Sequence, residues 1–453
     1  MKNMKKLLAS ILCVALCAAT FVGCGDSGNN GGSSAAGGES SAASTDGGDN
    51  AKTGSLTINY LSSRNTEEAV MTTLQDIADN YAKENPDMDF SYEVESITDR
   101  TSYLQKLKIL ASSDELPEWF ESDPDTFFAD LVANDAVYNI EDLYEELGVT
   151  DKFFNICKEY VKLPGTDKIY LMSWQANAEY FFYNKDLFAQ AGVTETPKTM
   201  DELLDVCKTL KDAGITPIST QSSDWPILRY FAMIPFRQTG NTYLEEACAG
   251  TGSWGTDVGI ANATYMQELA QYFQTGFSST DYDTMVDLFV GNKAAMMNNG
   301  TWVLPDLMDK STGDLRSDLS YFTMPTYKDN DTTGASDYFA NCGIGTAVRK
   351  DAMTQDMKDY LAYVFDNYSE IALNDYDLLP SIKPSSTEGL PEIYQTILKD
   401  VTNVNTYAKC WDVVINSASL ETLNKSTTEL CLGEMTPQEW ADSLDQSVKE
   451  NNK

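Results

Sequence analysis

The side chains of this sequence that could do chemistry are defined first by one that is missing. No histidine occurs among the 453 residues, which removes Ser-His-Asp and Cys-His nucleophiles, His-ligated zinc and imidazole acid–base catalysis together. Carboxylates are abundant instead: 69 Asp and Glu stand against 32 Lys and Arg, a formal net charge of −37. Among so many, some pair always suits two-carboxylate hydrolysis, so their number discriminates nothing. The acidic excess argues against binding nucleic acid or anionic lipid through a basic face, and its scatter along the chain reads as surface solubility. Of nine cysteines, Cys13, Cys17 and Cys24 lie near the N-terminus. The others, Cys157, Cys207, Cys248, Cys342, Cys410 and Cys431, are widely spaced with no Cys-x-x-Cys. No metal centre or cofactor is expected from that pattern. Several lie in apolar runs, so buried free thiols are at least as much expected as disulfides, whose pairing the spacing leaves open.

What remains is an aromatic residue at a suggestive place. Asp287 to Leu307 reads DLFVGNKAAMMNNGTWVLPDL. A helical run ends at Val290, Gly291-Asn292 breaks it, and Ala294-Ala295-Met296-Met297 has the character of a buried strand. Asn298-Asn299-Gly300 is expected to turn the chain, and Thr301-Trp302 to open another helix. In open α/β sheets ligands gather beyond the carboxyl ends of strands, where the next helix begins. Trp302 offers a flat apolar face and one N–H donor there; the plainer alternative is a core aromatic.

The elements that must position it follow an α/β grammar. Leu56 to Leu61 alternates as a strand, ended by Ser62-Ser63-Arg64-Asn65, and Val70, Leu74, Ile77, Ala78 and Tyr81 then share one helical face. A strand over 90–94, a helix over 103–111 and a strand over 116–120 complete a β-α-β-α-β series, which implies a parallel sheet with right-handed crossovers. Residues 169–172 and 180–183 read as two further strands joined by 173–177. Asn184 to Phe188 opens a helix closed by Gly192, and Thr199 with Glu202 forms a capping box. Helices dominate from 230 to 289. The small, apolar, Gly-rich stretch 340–348 reads as one strand lying close against other backbone. An amphipathic helix follows with Met357, Leu361, Val364, Phe365 and Tyr368, and 379–384 is an extended connector. Thr436-Pro437-Gln438-Glu439 caps a last helix whose Trp440, Leu444 and Val448 face the core, and Trp119 inside its strand is read as core too.

The N-terminus stands apart. Lys2, Lys5 and Lys6 precede an apolar run from Leu7 to Val22, a secretory signal too short for a stable membrane span. Phe21-Val22-Gly23-Cys24 resembles a bacterial lipobox, in which the Cys is lipidated and becomes the mature N-terminus, although Phe21 departs from the usual Leu. The Gly/Ser/Ala-rich segment that follows lacks apolar bulk and reads as a flexible tether with a reach of about 30 Å. The body from Ser55 onward is long enough for two or more domains and contains no other run of membrane-spanning length.

The order of these pieces resembles the extracellular solute-binding proteins of ATP-binding-cassette sugar importers, the maltose- and multiple-sugar-binding family in particular. The resemblance covers nearly the whole body. It rests on Tyr183-Asn184-Lys185-Asp186-Leu187-Phe188, on the stretch from Gly291 to Trp302, and on Gly433 to Trp440, with support from Leu116-Pro117-Glu118. It implies a type II periplasmic-binding-protein-like α/β fold of two lobes, each a mainly parallel sheet flanked by helices. Lobe one would be 55–175 with 338–383, and lobe two 176–337 with 384–453, behind a signal peptide over 1–23 and a lipidated Cys24 with its tether over 24–54. The ligand would lie between the lobes and close them by hinge motion. Also implied are a small-molecule carbohydrate ligand, a membrane permease as partner, a monomer anchored by lipid at the extracellular face of the membrane, and no catalysis, cofactor, metal or nucleic acid.

Site residues carry over only where motifs align. Ser63 and Arg64 end the first strand, where the family places polar sugar contacts, and Asp123 or Asp125 after the third strand is a family-type hydroxyl acceptor. Asn177, seven residues before Asn184, matches a sugar-touching position, and Trp302 matches the stacking Trp. Trp225 matches a family Trp-Pro, Asp337 and Tyr338 fall at the second lobe crossing, and Trp411 precedes the late helices, where an aromatic often lines the cleft. Leu171 and Ser173 replace the Gly and Pro common in the family, so the hinge is expected to differ and Trp174 is placed to project into the cleft. Trp254, in a Gly-flanked loop, is a weaker cleft candidate.

These types suit a sugar. The axial C–H face of a pyranose packs on an aromatic plane, and its hydroxyls each donate and accept, so Asp, Asn and Arg can take them pairwise. Two other functions compete: a receptor for a non-sugar solute, and a lipid-anchored glycoside hydrolase, which needs two carboxylates about 5 Å or about 6.5–9.5 Å apart.

Overall fold

The computed structural model describes residues 54–452 except 164, 165, 167, 223, 224 and 405. The signal segment, Cys24 and the tether up to residue 53 lie outside the described residues.

Alternation builds the first sheet. β1 (Gly54–Ser62) turns Leu56, Ile58 and Tyr60 inward and Ser55, Thr57 and Asn59 outward. β2 (Met88–Ser96) pairs parallel to it along its full length, and β3 (Trp119–Ser122) pairs parallel on its other side. Between β1 and β2, helix Ala69–Glu84 buries Val70, Leu74, Ile77, Ala78 and Tyr81, the stripe its spacing predicts.

The second sheet is built around β4 (Asn177–Asn184). β5 (Met296–Gly300) pairs antiparallel on one side. β6 (Met308–Asp309) and β7 (Asp314–Leu315) form a separate ribbon, and β8 (Leu319–Phe322) and β9 (Ala340–Asn341) pair antiparallel with β4. Ile218 adds parallel bridges to Met296 and Phe273. β10 (Gly345–Val348) then returns to the first sheet, antiparallel to β3. The stretch expected as one strand over 340–348 is therefore two strands in two sheets. Gly343 between them has φ +65°, a left-handed conformation that interrupts a strand, and a Cβ there would lie 2.9 Å from Gln175 Oε1 and 3.0 Å from Arg64 Nη2.

Two further expectations change. Residues 169–172 make only isolated bridges, Lys162 with Ile169 and Met172 with Thr346, so that apolar run is buried by side-chain packing rather than by a ladder. Asn298-Asn299-Gly300 does not turn: facing Glu179 to Phe181, it continues β5, and the chain turns only at Thr301.

Aromatic clusters hold the two halves. In the first, Trp119 stacks on Trp174 with ring centroids 6.2 Å apart, and Trp174 meets Tyr368 at 5.1 Å. In the second, Trp254 packs on Trp411 at 5.3 Å and on Trp440 at 5.7 Å. Both capping boxes form, at Thr199 with Glu202 and at Thr436 with Glu439. The body cysteines are free thiols, all buried except the partly buried Cys431. Among the described residues no helix is long and apolar enough to cross a membrane.

Candidate functional site

β5 ends at Gly300, and the single 3₁₀ turn Thr301–Val303 sets Trp302 at the strand's carboxyl end. The half-buried indole donates its N–H to the Tyr282 hydroxyl at 3.0 Å. It meets Trp225 edge to face, centroids 5.4 Å apart, and Trp225 in turn lies 6.1 Å from the Tyr282 ring. Gly300 makes room for this corner: a Cβ there would lie 2.0 Å from the Trp302 ring. Its φ of −95° is ordinary, so the requirement is space rather than backbone freedom.

A chain of polar side chains runs from this corner. Asn177, buried at the start of β4, donates to Gln175 Oε1 at 3.0 Å and Asn341 Oδ1 at 3.1 Å, and accepts from Thr301 Oγ1 at 3.4 Å. Asn341 donates to Glu179 Oε1 at 2.9 Å. Arg229 Nε reaches both Glu179 oxygens, at 2.8 and 3.0 Å, while its Nη1 donates to Asp412 Oδ1 at 2.8 Å. The same guanidinium lies over the rings of Trp225 at 4.9 Å and Phe339 at 5.4 Å. Burial pushes the Glu179 carboxyl up from its ordinary range, and Arg229 opposes this without overcoming it. A buried charge of this kind persists only when paired and hydrogen-bonded.

On the first-sheet side Glu121 gathers three donors: the Ser63 N–H and hydroxyl, each at 2.7 Å, and Arg64 Nε at 2.8 Å. Arg64 Nη2 also donates to the Ile344 carbonyl at 3.2 Å. Arg64 and Ser63 are thus tied to Glu121 and to the segment joining β9 and β10. Asp123 is paired with Arg100; burial raises its carboxyl and Arg100 pulls it back only in part. A cavity of about 120 Å³ opens between the two sides, lined by Glu68, Gln175, Asn177, Thr301, Trp302 and Asp377 among others. A larger cavity of about 470 Å³ beside Asn59, Lys106 and Glu118 contains none of the residues the sequence points to, so volume does not mark the site.

Of the expected residues, Trp302 and Asn177 share the cavity, Trp225 backs Trp302, and Arg64 approaches through Gln175 and Gly343. The others are placed differently. Asp125 caps helix Thr126–Ala133, accepting from the Phe128 N–H at 2.9 Å. Trp174 does not project into the cleft: it is fully buried and donates to Thr346 Oγ1 at 2.8 Å, so both its apolar surface and its donor are satisfied in the core. Trp411 and Trp254 are buried against each other for the same reason. Tyr338 is buried with its hydroxyl 3.4 Å from that of Tyr180, and Asp337 accepts from the backbone N–H groups of Gly334 and Thr406. Residues that sequence reasoning missed are Glu179, Arg229, Asn341, Asp412 and Arg100. One signal was available: Arg229 follows Trp225 by four residues, one helical turn, which puts the two on one face.

The profile of the bacterial extracellular solute-binding protein family matches residues 65–365. The chain belongs to that family. Among relatives of this solute-binding protein, a multiple sugar-binding protein of Streptococcus mutans is 23% identical over 322 residues, 67% of this chain and 70% of the relative. A maltotriose-binding protein of Pyrococcus abyssi is 22% identical over 248 residues, 54% of this chain and 50% of the relative. A solved structure, a chitin oligosaccharide binding protein, superposes with a TM-score of 0.73 over 88% of this chain and 98% of its own, at 23% identity. At that identity the likeness establishes the fold: two α/β lobes of the type II solute-binding kind. Membership also places this solute-binding protein among extracellular proteins.

Proposed function

We propose that this solute-binding protein is the receptor lipoprotein of an ATP-binding-cassette importer, capturing a sugar of oligosaccharide size between its lobes and delivering it to a membrane permease without chemistry of its own. The observation that carries this reading is Trp302, a half-buried platform at a strand's carboxyl end with Asn177 and Gln175 beside it. A pyranose can lay its C–H face on that ring and exchange hydrogen bonds with the amides. The names of the relatives, all binding proteins for sugars, support the same ligand class.

The lobes are read as 55–175 with 338–383 and 176–337 with 384–453. The start of β4 at Asn177 supports the first boundary. The passage from β9 in one sheet to β10 in the other supports a return crossing, at Cys342–Ile344 rather than at Tyr338. The cavity of about 120 Å³ is smaller than the roughly 300 Å³ at which ligand pockets begin, so a sugar enters after the lobes part. Cys24 carries the lipid, and the tether lets a monomeric body reach its permease at the extracellular face of the membrane.

Thermal-shift and calorimetric screening of mono- and oligosaccharides on the mature chain tests the ligand. One sugar class is expected to raise the melting temperature and bind one to one. A response to peptides or polyamines with silence across sugars overturns the sugar reading, and release of shorter products from an oligosaccharide overturns the non-enzymatic one. Cys24→Ala is expected to move the protein from the membrane fraction to the medium.

A further inference from the structure

Asp412 stands in the helical turn Trp411–Val414, next to the Trp that the sequence pointed to and the core absorbed. Its Oδ1 accepts from Arg229 Nη1, while among the described residues its Oδ2 has no hydrogen-bond partner, and its side chain is 23% exposed. Arg229 is itself fully buried and held by Glu179 through two contacts, so the position of Asp412 is set from below by a rigid pair. The same Arg229 supports Trp225, and Trp225 supports Trp302, so Asp412 is mechanically continuous with the aromatic corner. From the first-sheet side, Arg100 projects from helix Arg100–Ser112 with 54% of its side chain exposed, anchored by Asp123. Asp412 lies within electrostatic reach of both Arg100 and Asp123.

We propose that Asp412 and Arg100 are ligand contacts that grip one hydroxyl-bearing edge of the sugar from opposite sides of the cleft, and that their surroundings select neutral over anionic sugars. This rests on the reading of the protein as a sugar receptor and names its substrate class more narrowly. Two adjacent hydroxyls satisfy both groups at once: one donates to Asp412 Oδ2, and the other accepts from the outer N–H groups of Arg100. Glu179, Asp412 and Asp123 set three carboxylates against the two guanidiniums of Arg229 and Arg100, so a uronate carboxylate entering here meets a net like charge away from bulk water.

The test is calorimetry on the mature chain with neutral probes (maltotriose, raffinose, xylotriose, chitotriose) and with a glucuronate-bearing xylotriose and digalacturonate. Asp412→Asn leaves Arg229 paired through Glu179, so the melting temperature of the unliganded protein is expected to hold. Affinity for the preferred neutral probe should fall about tenfold or more, and discrimination against the uronates should shrink. Arg100→Gln should weaken neutral binding similarly and increase that discrimination; a merely structural role would move neither ratio. Neutral binding by the native chain with affinity and ratio unchanged in Asp412→Asn overturns the inference and leaves the receptor intact, as does a uronate bound more tightly than every neutral probe. Binding of no sugar, neutral or acidic, overturns the receptor reading together with it.

Discussion

The Trp302 indole N–H donates to the Tyr282 hydroxyl at 3.0 Å, so the ring is fixed by a bond to a neighbouring helix, Tyr282–Val290, and not by burial alone. Its donor is already used and one face is left for a ligand. That is the arrangement of a platform, whereas Trp174, with the same chemistry, is enclosed on all sides.

Substitution separates the two roles. Trp302→Ala is expected to weaken binding of the preferred sugar by roughly 2–4 kcal/mol, the range of an aromatic anchor, with a largely unchanged melting temperature. Trp174→Ala is expected to destabilise the fold by about 3–5 kcal/mol, as for a buried Trp. Calorimetry and denaturant titration on both variants read the contrast; equal loss of stability in the two would remove Trp302 from the cleft.

Gly300→Ala tests the platform without deleting it. The new methyl would fall 2.0 Å from the Trp302 ring, so the ring must shift away from Trp225 and the Tyr282 hydroxyl. Affinity should drop while the indole remains, and the change should appear in tryptophan fluorescence. Wild-type affinity in this variant would show that the corner tolerates a displaced ring.

The helix that holds Tyr282 begins at Asp281, whose carboxylate accepts from the Thr284 N–H at 2.8 Å. Hydrogen bonds from Thr284 lower the Asp281 pKa. A carboxyl depressed in the folded state stabilises above its unfolded pKa, near 3.9, and that contribution is lost as pH falls through the folded value. Asp281→Ala should therefore lower the melting temperature at neutral pH, and the difference should close in acid. A pH-independent difference would assign the effect to something other than the cap.

Arg229 neutralises two carboxylates, so Arg229→Met should leave Glu179 buried beside Asp412 without a counter-charge. Breaking a buried pair in this way costs about 3–5 kcal/mol. The burial that already raises Glu179 would act unopposed, so the variant should regain stability as the pH is lowered and Glu179 takes up a proton. Equilibrium denaturation at several pH values reads this, and a loss that grows in acid would contradict it.

Local periodicity is a short-range property, and what rests on it was legible in the order of residues. β1, β2 and helix Ala69–Glu84, the capping boxes at Thr199 and Thr436, and the place of Trp302 just past a strand all follow from contacts within a few residues. The absence of histidine excluded whole classes of chemistry with no structure at all. The use of each tryptophan was decided elsewhere. Trp174, Trp254 and Trp411 are enclosed by partners distant in the chain, and a large apolar ring is most stable wherever such partners meet it. Asn177 reaches Asn341 across 164 positions, Glu179 and Arg229 meet across 50, and Asp412 joins them from 183 positions beyond Arg229. Those polar groups could be recognised as a set only once folding had removed the water between them, because buried charges and amides persist where each finds its partner.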